Sequence, residues 1–299
     1  MAIYDCQKNH RLAPLPYVEG DLARPEHLQD FFEAHAITAV IHCAGKIDVA
    51  ESLQKPALYH RYNVQYTEHL LQVMVNCGIR DVIFSSSCSV YGQPEHLPLT
   101  ESHPLTPLSP YGKNKKDAEA LLRKYEQREG IRSISLRFFN AAGAAPDGTL
   151  GECHEPETHL IPRVLGHLMQ HTPLAIYGED YPTPDGTCVR DYIHVWDLAR
   201  AHLKALRYLQ THHRSDIFNL GSDRGYSVKE VIAAAEAVTG KQANPSRLPR
   251  RPGDPAVLVS SSERARRMLD WRPDLQLQDM VKDAWRFMQR EACVSAVQY

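Results

Sequence analysis

The chain has 299 residues and a formal net charge of −2, which is enough length for one or two domains with a sizeable core. The near-neutral charge argues against a nucleic-acid-binding protein, and no apolar run reaches the ~18 residues of a membrane span. The first residues lack the basic flank and apolar core of a signal peptide. Seven cysteines without paired spacing argue against a disulfide framework, so we expect a protein of the reducing cytoplasm.

The first half of the chain alternates between strand and helix patterns. The predicted strands are Ala2–Asp5, Thr38–Gly45, Asp81–Ser87 and Ser133–Phe138. The predicted helices run from Pro25 to about His35, from Lys55 to Cys77 and from Gly112 to about Glu129. Strands that alternate with helices pair in parallel through right-handed crossovers. The pattern therefore predicts an α/β fold with a doubly wound, Rossmann-like parallel sheet.

The composition and periodicity of the sequence change after Phe139. Residues 140–187 are rich in glycine, proline and acidic side chains, and they contain only short periodic pieces. The later predicted elements are the strand Cys188–Val195, the helix Trp196–Leu209, the strand Ile217–Leu220, a helix from Ser227 to Gly240 and helices from about Ser262 and Leu277. We expect a first domain of residues 1–139, to which 188–210 returns, and a smaller C-terminal α/β domain of residues 140–299.

Two short stretches carry the side chains best suited to chemistry. An apolar strand ends in serines at Ser87, and Tyr111 and Lys115 lie four residues apart at the head of a helix, so they share one helix face. An ammonium group beside a phenol commonly lowers the phenol pKa by ~1–3 units. A serine hydroxyl at the same place can hold a substrate oxygen while the phenolate removes its proton. The alternative is an exposed helix pair with no catalytic role.

The segment Cys153–His159 gathers several possible metal ligands. No second ligand pair lies at a zinc-like spacing elsewhere in the chain, and Pro156 indicates a loop. We therefore predict a plain loop here and no metal site.

With these residues in place, the chain resembles the UDP-glucose 4-epimerase family, a branch of the extended short-chain dehydrogenase/reductases. The resemblance runs from about Asp5 to Pro273, and the matching segments follow one another in the family's order. These segments are Val18–Leu22, Glu51–Ser52, Phe84–Ser87, Ser109–Lys115, Arg137–Asn140, Ile176–Thr183, Gly186–Thr187, Arg190–Val195 and Arg251–Asp254.

The resemblance also implies which residues form the site. Ser87 and Tyr111 would contact the hexose O4, and Lys115 would bind the nicotinamide ribose of NAD while lowering the Tyr111 pKa. The implied NAD-binding residues are Asp5, Asp21, Leu22, Ala44, Gly45, Asn63, Tyr111, Lys115 and Phe139. The implied residues for the UDP-sugar are Ser87, Asn140, His159, Leu160, Tyr177, Arg190, Arg251 and Asp254.

The implied reaction interconverts UDP-glucose and UDP-galactose. Tyr111 would take the O4 proton while hydride passes from C4 to NAD, the 4-keto sugar would turn over, and hydride would return to its opposite face. The first predicted domain would then bind NAD, and the second would bind the nucleotide sugar. The resemblance further implies a homodimer through the helices Lys55–Cys77 and Gly112–Glu129, without nucleic-acid or membrane partners.

Two other functions remain open on the sequence. A nucleotide-sugar 4,6-dehydratase needs an Asp-Glu pair directly after the residue that corresponds to Ser87. This chain has Cys88 and Ser89 there, and neither side chain can replace a carboxylate in that acid–base work, which counts against dehydration. A non-catalytic remnant that binds NAD or a nucleotide sugar would also be compatible with Tyr111 and Lys115.

The sequence departs from the family near its start, because no Gly-x-x-Gly-x-x-Gly turn precedes the strand that ends at Asp5. Such a turn holds the cofactor pyrophosphate at a helix N-terminus, and its strand lies within the sheet. We therefore expect this N-terminally truncated, 299-residue chain to have a gap in its sheet, to bind NAD weakly and to show little epimerase activity. The NAD content and UDP-galactose conversion of the purified chain, with and without added NAD, test this and separate an enzyme from a binding protein. A measurable epimerase rate would contradict the expectation.

Overall fold

The computed structural model describes residues 1–6, 16–251 and 254–297, without the side chains of 291–297. Its strands, numbered in chain order, are β1 (Ile3–Asp5), β2 (Tyr17–Glu19), β3 (Ala39–His42), β4 (Asp81–Ser87), β5 (Arg132–Phe138), β6 (Asn140–Ala142), β7 (Ala175–Tyr177), β8 (Val189–His194), β9 (Asp216–Leu220), β10 (Gly225–Ser227), β11 (Ser246–Leu248) and β12 (Val257–Leu258). Its α-helices are α1 (Pro25–Ala34), α2 (Val49–Gln54), α3 (Pro56–His60), α4 (Tyr66–Asn76), α5 (Pro110–Glu129), α6 (Leu160–Gln170), α7 (Val195–His212), α8 (Val228–Thr239), α9 (Glu263–Leu269) and α10 (Leu277–Val297). None of the described helices combines the length and the hydropathy needed to cross a membrane.

The described residues form two compact units. The first unit comprises residues 1–93, 103–137 and 202–218, and the second comprises 94–102, 138–201 and the residues from 219 onward. Each unit has its own apolar core. In the first unit, α1, α4 and α5 pack against β4. In the second unit, α6, α8 and α10 supply most of the buried apolar side chains.

The main sheet of the first unit has the strand order β3-β4-β5-β9. β3 and β4 run in parallel, with Ala39 opposite Asp81 and His42 opposite Phe84. All seven residues of β4 are buried, which is typical of a parallel strand covered on both faces. β1 and β2 pair in parallel as a separate sheet, so the described strands of this unit lie in two sheets. The predicted α/β class with parallel strands is confirmed.

Helix α5 carries the predicted catalytic pair, and its start is specified by its sequence. It begins at Pro110, two residues earlier than predicted, because the Ser109 hydroxyl caps it by accepting the N–H of Gly112. Proline suits the first helical position, where the missing N–H has no helical partner to lose. A Cβ added at Gly112 would lie 2.3 Å from the Ser89 carbonyl oxygen. Glycine therefore lets the helix start approach the residues that follow β4.

The predicted helix over residues 55–77 is confirmed as one continuous helical stretch from Pro56 to Asn76, with a wider turn inside it. Pro56 begins α3 as a new helix after α2, because a proline inside a helix would remove a backbone hydrogen bond. A π-helical turn, Arg61–Gln65, then separates α3 from α4. Hydrophobic periodicity alone could not locate this turn, because one wider turn barely disturbs the apolar stripe.

The glycine- and proline-rich stretch 140–187 contains more regular structure than its composition indicated. It forms β6, β7 and α6. α6 tolerates Pro162 because this residue lies in the first helical turn, and its apolar face buries Ile161, Val164, Leu165 and Leu168.

Strand β8 organises the second unit. It pairs in parallel with β6 and β12 and antiparallel with β10, while β7 pairs with β11. Asp191 on β8 is fully buried and accepts hydrogen bonds from the N–H and hydroxyl groups of Ser222 and Ser260. Burial raises the pKa of this carboxyl despite the hydrogen bonds. These bonds fix the segments after β9 and β12 against β8.

A buried ion pair joins α5 to the main sheet of the first unit. Glu119 and Arg137 are 1% and 2% exposed, and two N–O contacts of 2.6 and 2.9 Å link their side chains. Ser86 on β4 donates to the same carboxylate at 2.6 Å, and Arg137 donates to the Tyr91 hydroxyl at 3.1 Å. Charges buried this deeply are tolerated only when they are paired and hydrogen-bonded.

We expect Glu119→Ala to lower the free energy of unfolding by ~3–5 kcal/mol, because the Arg137 guanidinium stays buried without its counter-ion. Asp117→Ala on the same helix removes an exposed pair with Lys113 and should cost below ~1 kcal/mol. Urea unfolding of both variants at an unchanged m-value makes the comparison. Equal losses in the two variants would contradict the special role of the buried pair.

Candidate active site and nucleotide-binding residues

The carboxyl ends of β3 and β4 bring polar groups to one edge of the main sheet. β4 ends in Ser85, Ser86 and Ser87, and β3 is followed by a turn that contains Gly45. Neighbouring parallel strands end at the same edge, which is where α/β proteins bind their ligands. Gly112 of α5 reaches the same edge through its close approach to the segment after β4.

Ser87, Tyr111 and Lys115 lie together at this edge. These residues are 7%, 8% and 5% exposed, and Ser87 lies close enough to Tyr111 to act on the pKa of its phenol. The Lys115 Nζ donates to the Ser85 carbonyl at 2.8 Å, and it lies 5.9 Å from the centroid of the Tyr111 ring. The structure thus brings the predicted catalytic residues into one cluster.

The expected lowering of the Tyr111 pKa by Lys115 is wrong for this structure. Burial raises the pKa of Tyr111 to about 12, and the hydrogen bond with Ser87 opposes this rise only in part. Burial also lowers the pKa of Lys115 to about 8. The physical reason is that burial removes water from the Tyr111 phenolate and from the Lys115 ammonium group, which disfavours both charged forms. The Lys115 ammonium group donates its hydrogen bond to the Ser85 carbonyl.

Sequence reasoning missed three residues near Lys115, namely His42, Cys43 and His202. His42 is buried against Thr67, with 3.0 Å between its Nε2 and the Thr67 Oγ1, and burial together with the Lys115 charge lowers its pKa to about 3. Burial alone would raise the pKa of the Cys43 thiol, but His202, Ser85 and the Lys115 charge together outweigh it and lower this pKa. The position of His42 and Cys43 at the end of a predicted strand was the available signal.

Asn63 shapes the turn after β3. Its side chain is 2% exposed, and its Oδ1 accepts the Lys46 N–H at 2.7 Å while its Nδ2 donates to the Lys46 carbonyl at 2.9 Å. Gly45 has φ +148°, and a Cβ there would lie 2.7 Å from the Asn63 Oδ1. Asn63 therefore holds a turn in which Ala44 and Gly45 present exposed backbone. The predicted contact of Asn63 with the cofactor stays a prediction.

The other predicted cofactor residues lie at several places. Asp5 is exposed at the end of β1, and the Asp21 carboxylate accepts the N–H of Ala23 at 2.9 Å. The Leu22 carbonyl lies 3.0 Å from the His69 Nδ1. Phe139 belongs to the second unit, where it is buried and its N–H donates to the Leu220 carbonyl.

The donor set of the first unit fits the ribose portions of a dinucleotide. Carboxylates such as those of Asp5 and Asp21 accept hydrogen bonds from ribose hydroxyls, and the Lys115 ammonium can donate to such hydroxyls. The turn at Gly45 offers backbone that no side chain covers, because its φ and its contact with Asn63 exclude a Cβ. These features fit NAD at its two ribose rings.

The predicted nucleotide-sugar residues of the second unit form local contacts of their own. The Arg190 Nη2 lies 3.0 Å from the Asp254 Oδ1, and the Arg190 Nη1 donates to the carbonyls of Val189 and Pro255 at 2.8 Å. The Arg251 guanidinium lies 4.1 Å from the centroid of the Tyr177 ring. Arg190 is thus held by the chain's own acceptors, whereas Arg251 rests on an aromatic face.

The remaining predicted residues of this unit lie in two further contacts. The Asn140 Nδ2 donates to the Asp191 carbonyl at 2.7 Å. His159 stands at the N-cap of α6, directly before Leu160, and its Nδ1 contacts the Glu152 carboxylate. Asn140 therefore helps to fix β8. His159 contacts Glu152, next to the segment Cys153–His159 that was predicted to be a plain loop.

Comparison with known proteins gives a consistent result. A sequence profile described as the NAD dependent epimerase/dehydratase family matches residues 4–221. A UDP-glucose 4-epimerase of Halalkalibacterium halodurans is 43% identical over 285 residues, which cover 94% of this chain and 85% of that protein. The crystal structure of UDP-glucose 4-epimerase from Brucella ovis in complex with NAD has a TM-score of 0.93 and 40% identity, covering 95% of this chain and 90% of that one. The enzyme from Stenotrophomonas maltophila, with bound NAD and formylated UDP-arabinopyranose, has a TM-score of 0.94 and 33% identity, covering 98% and 91%.

The shifted pKa values of the cluster predict how stability depends on pH. Lys115 has a pKa of about 8 in the folded chain and 10.5 as the ordinary value, so between these values the unfolded chain binds more protons. The free energy of unfolding should therefore rise with pH above 8, by at most ~1.4 kcal/mol per pH unit. Above pH 10 the rise should reverse, because Tyr111 keeps its proton up to about 12 while the unfolded phenol loses it.

Urea unfolding at pH 7.5, 8.5 and 9.5, compared between the native chain and Lys115→Met, measures this contribution. The variant should lack the rise between pH ~8 and 10, because it has no ammonium group to deprotonate. Lys113→Met removes an exposed lysine of the same helix and should keep the native profile. A native profile in Lys115→Met would contradict the buried, weakly basic lysine.

Proposed function

Because the chain belongs to the NAD dependent epimerase/dehydratase family, we propose that it interconverts UDP-glucose and UDP-galactose. The epimerases to which it is similar support this assignment. The observation that carries it is the buried cluster of Ser87, Tyr111 and Lys115 at the carboxyl end of β4, in which the Lys115 Nζ lies 5.9 Å from the centroid of the Tyr111 ring. This cluster supplies the proton transfer that oxidation of a secondary alcohol requires.

NAD, when bound, accepts the hydride from C4 of the hexose and later returns it. In our proposal the Ser87 hydroxyl holds the hexose O4, and the Tyr111 phenolate removes its proton as the carbonyl forms. Tyr111 then returns the proton to O4 in the second half-reaction, acting as an acid. Lys115, Asp5 and Asp21 hold ribose hydroxyls, and the turn at Gly45 leaves room for the cofactor backbone.

The pKa of Tyr111 sets a requirement on this chemistry. At neutral pH a phenol with a pKa of about 12 is almost entirely protonated, and a base works best when its pKa lies near the ambient pH. We therefore expect the rate to rise with pH through the neutral range, because the reactive phenolate fraction rises with it.

We propose that the second unit holds the UDP portion of the substrate. Arg251 is the better placed of the two predicted arginines, because its described contact is with the Tyr177 ring, 4.1 Å from the ring centroid, and not with a carboxylate. Arg190 would have to exchange contacts with Asp254 and two carbonyls to meet a phosphate. Asn140, His159 and Leu160 complete the proposed set.

The resemblance also leads us to propose a homodimer in the cytoplasm. Leu108 is 61% exposed, and it borders a groove between α3 and the start of α5, lined also by Pro56, Ala57 and Pro107. This apolar surface lies on the helices through which the family resemblance implies pairing. The six cysteines whose side chains are described are all thiols and not disulfides, which suits a reducing compartment.

We expect Tyr111→Phe to lower kcat for UDP-galactose by ~10²–10⁴-fold, because proton transfer at O4 is lost while most binding contacts stay. The assay contains saturating NAD, so that weak cofactor binding does not limit the rate. Tyr66→Phe removes a phenol of α4 outside the cluster and should keep kcat within about threefold. An active Tyr111→Phe variant would contradict the assignment.

We further expect Arg251→Lys to raise KM for the UDP-sugar more than it lowers kcat, because lysine cannot form the planar two-point contact with phosphate oxygens. Arg247→Lys changes an exposed arginine of the same unit that pairs with Glu179, and it should leave KM unchanged. A larger effect in the control variant than in Arg251→Lys would exclude the proposed phosphate contact.

A further inference from the structure

The loop before α6 brings four metal-ligating side chains together. Glu152, His154, Glu157 and His159 each offer one ligand atom, and these atoms all lie within 4.8 Å of one another. The sequence pattern alone predicts no metal here, because no second ligand pair lies at a zinc-like spacing elsewhere in the chain. A second ligand pair is not needed, because this one loop brings two histidines and two carboxylates together.

We propose that this loop binds one divalent transition-metal ion, with Zn²⁺ as the representative ion. Zn²⁺ binds imidazole nitrogen and carboxylate oxygen at ~2.0–2.2 Å in a tetrahedron, which separates neighbouring ligand atoms by ~3.3 Å. The His154 Nδ1 lies 2.8 Å from the Glu152 Oε1 and 4.0 Å from the Glu157 Oε1. These separations bracket the tetrahedral value.

Both imidazoles approach the same place with the same ring nitrogen. The His159 Nδ1 contacts the Glu152 Oε1 that also meets the His154 Nδ1. The two rings stand edge to face, with centroids 5.5 Å apart, so their nitrogen atoms converge without stacking. A cation in this position would accept both nitrogen lone pairs and would be held by the carboxylate oxygen between them.

The two ends of the loop are anchored, so the ligands are ordered before an ion binds. The Glu157 Oε1 accepts the N–H groups of Thr158 and His159 at 2.7 and 2.8 Å, and α6 begins directly afterwards. At the other end, Gly151 pairs with Ala144 in an isolated bridge. Hydrogen bonds of this kind fix the orientation of metal ligands and raise their affinity.

The charges and the donor types favour a transition metal over Mg²⁺. The two negative charges of the Glu152 and Glu157 carboxylates neutralise the two positive charges of the ion. Imidazole nitrogen suits Zn²⁺ and its neighbours, whereas Mg²⁺ prefers six oxygen ligands in an octahedron. The side chains of His154 and His159 are 40% and 46% exposed, so an ion can reach the site from solvent.

Direct titration of the full chain with Zn²⁺ tests the proposal, after treatment with EDTA and removal of the chelator. Competition against a chromogenic zinc chelator should show one tight site per chain. The paired variant His154→Gln/His159→Gln should weaken this site by ~100-fold or more, because both nitrogen ligands are lost. Mg²⁺ alone should not compete.

His27→Gln, on α1 of the first unit, is the matched control for an exposed histidine outside the loop. It should bind Zn²⁺ as the native chain does. Because the loop side chains are partly exposed, the paired variant should keep the native urea midpoint without metal, which excludes misfolding as the cause of lost binding. Native-like Zn²⁺ affinity in the paired variant, or no tight site in the native chain, would overturn the proposal.

Co²⁺ in place of Zn²⁺ adds a spectroscopic test that does not depend on activity. Four-coordinate ligation by nitrogen and oxygen should give the intense visible absorption of tetrahedral Co²⁺, and Zn²⁺ should displace it. Glu152→Gln should shift this spectrum, because the oxygen that both histidines approach changes from a carboxylate to an amide. An unchanged spectrum in Glu152→Gln would exclude the proposed ligand set.

Discussion

The buried pair of Glu119 and Arg137 is the constraint that fixes the face of α5 on which Tyr111 and Lys115 lie. Tyr111, Lys115 and Glu119 follow one another at intervals of four residues, so they lie along one side of the helix. Because Glu119 is bound to Arg137 of β5 and to Ser86 of β4, this side cannot rotate away from the sheet. This contact lies about two helical turns from the Tyr111 phenol, so it fixes the helix without occupying the space around that side chain.

Burial explains the electrostatics of this cluster better than pairwise attraction does. The pKa of Tyr111 is raised to about 12, while that of Lys115 is lowered to about 8 and that of His42 to about 3. Each shift favours the neutral form, as expected where water is excluded. At pH 7 Tyr111 and His42 are therefore neutral, whereas Lys115 still carries its proton. Charge that develops on a substrate oxygen would be stabilised by nearby fixed dipoles, such as the Ser87 hydroxyl.

Much of the fold could be predicted from the sequence because local signals agreed with each other. The apolar run of β4, the serine and proline at the start of α5 and the capping box before α8 each specify an element through short-range chemistry. α6 was missed because Pro162 and Gly166 resemble loop residues, although four apolar side chains at helical spacing were present.

The site was harder to predict, because its residues lie far apart in the sequence. No periodic pattern shows which of them come together. The spacing of Tyr111 and Lys115 indicated that they are neighbours, but it did not reveal how little water surrounds them. The two hydrogen bonds between Asn63 and Lys46 join positions that are separated by the helices α2 and α3. The cluster around Glu152 was likewise invisible, because the folding of a loop back on itself leaves no regular pattern.

The π-helical turn Arg61–Gln65 has a consequence for how this scaffold tolerates insertions and deletions. Such a turn is equivalent to one extra residue within an α-helix, and it often lies at a functional position. Deleting one residue here would restore an ordinary helix and keep the register of the helices on either side, but the residues of the turn itself, including Asn63, would change direction. The Asn63 amide would then point away from Lys46. Shortening the chain at this position would thus release the bend that keeps Gly45 open, although no cofactor-contacting side chain had been removed.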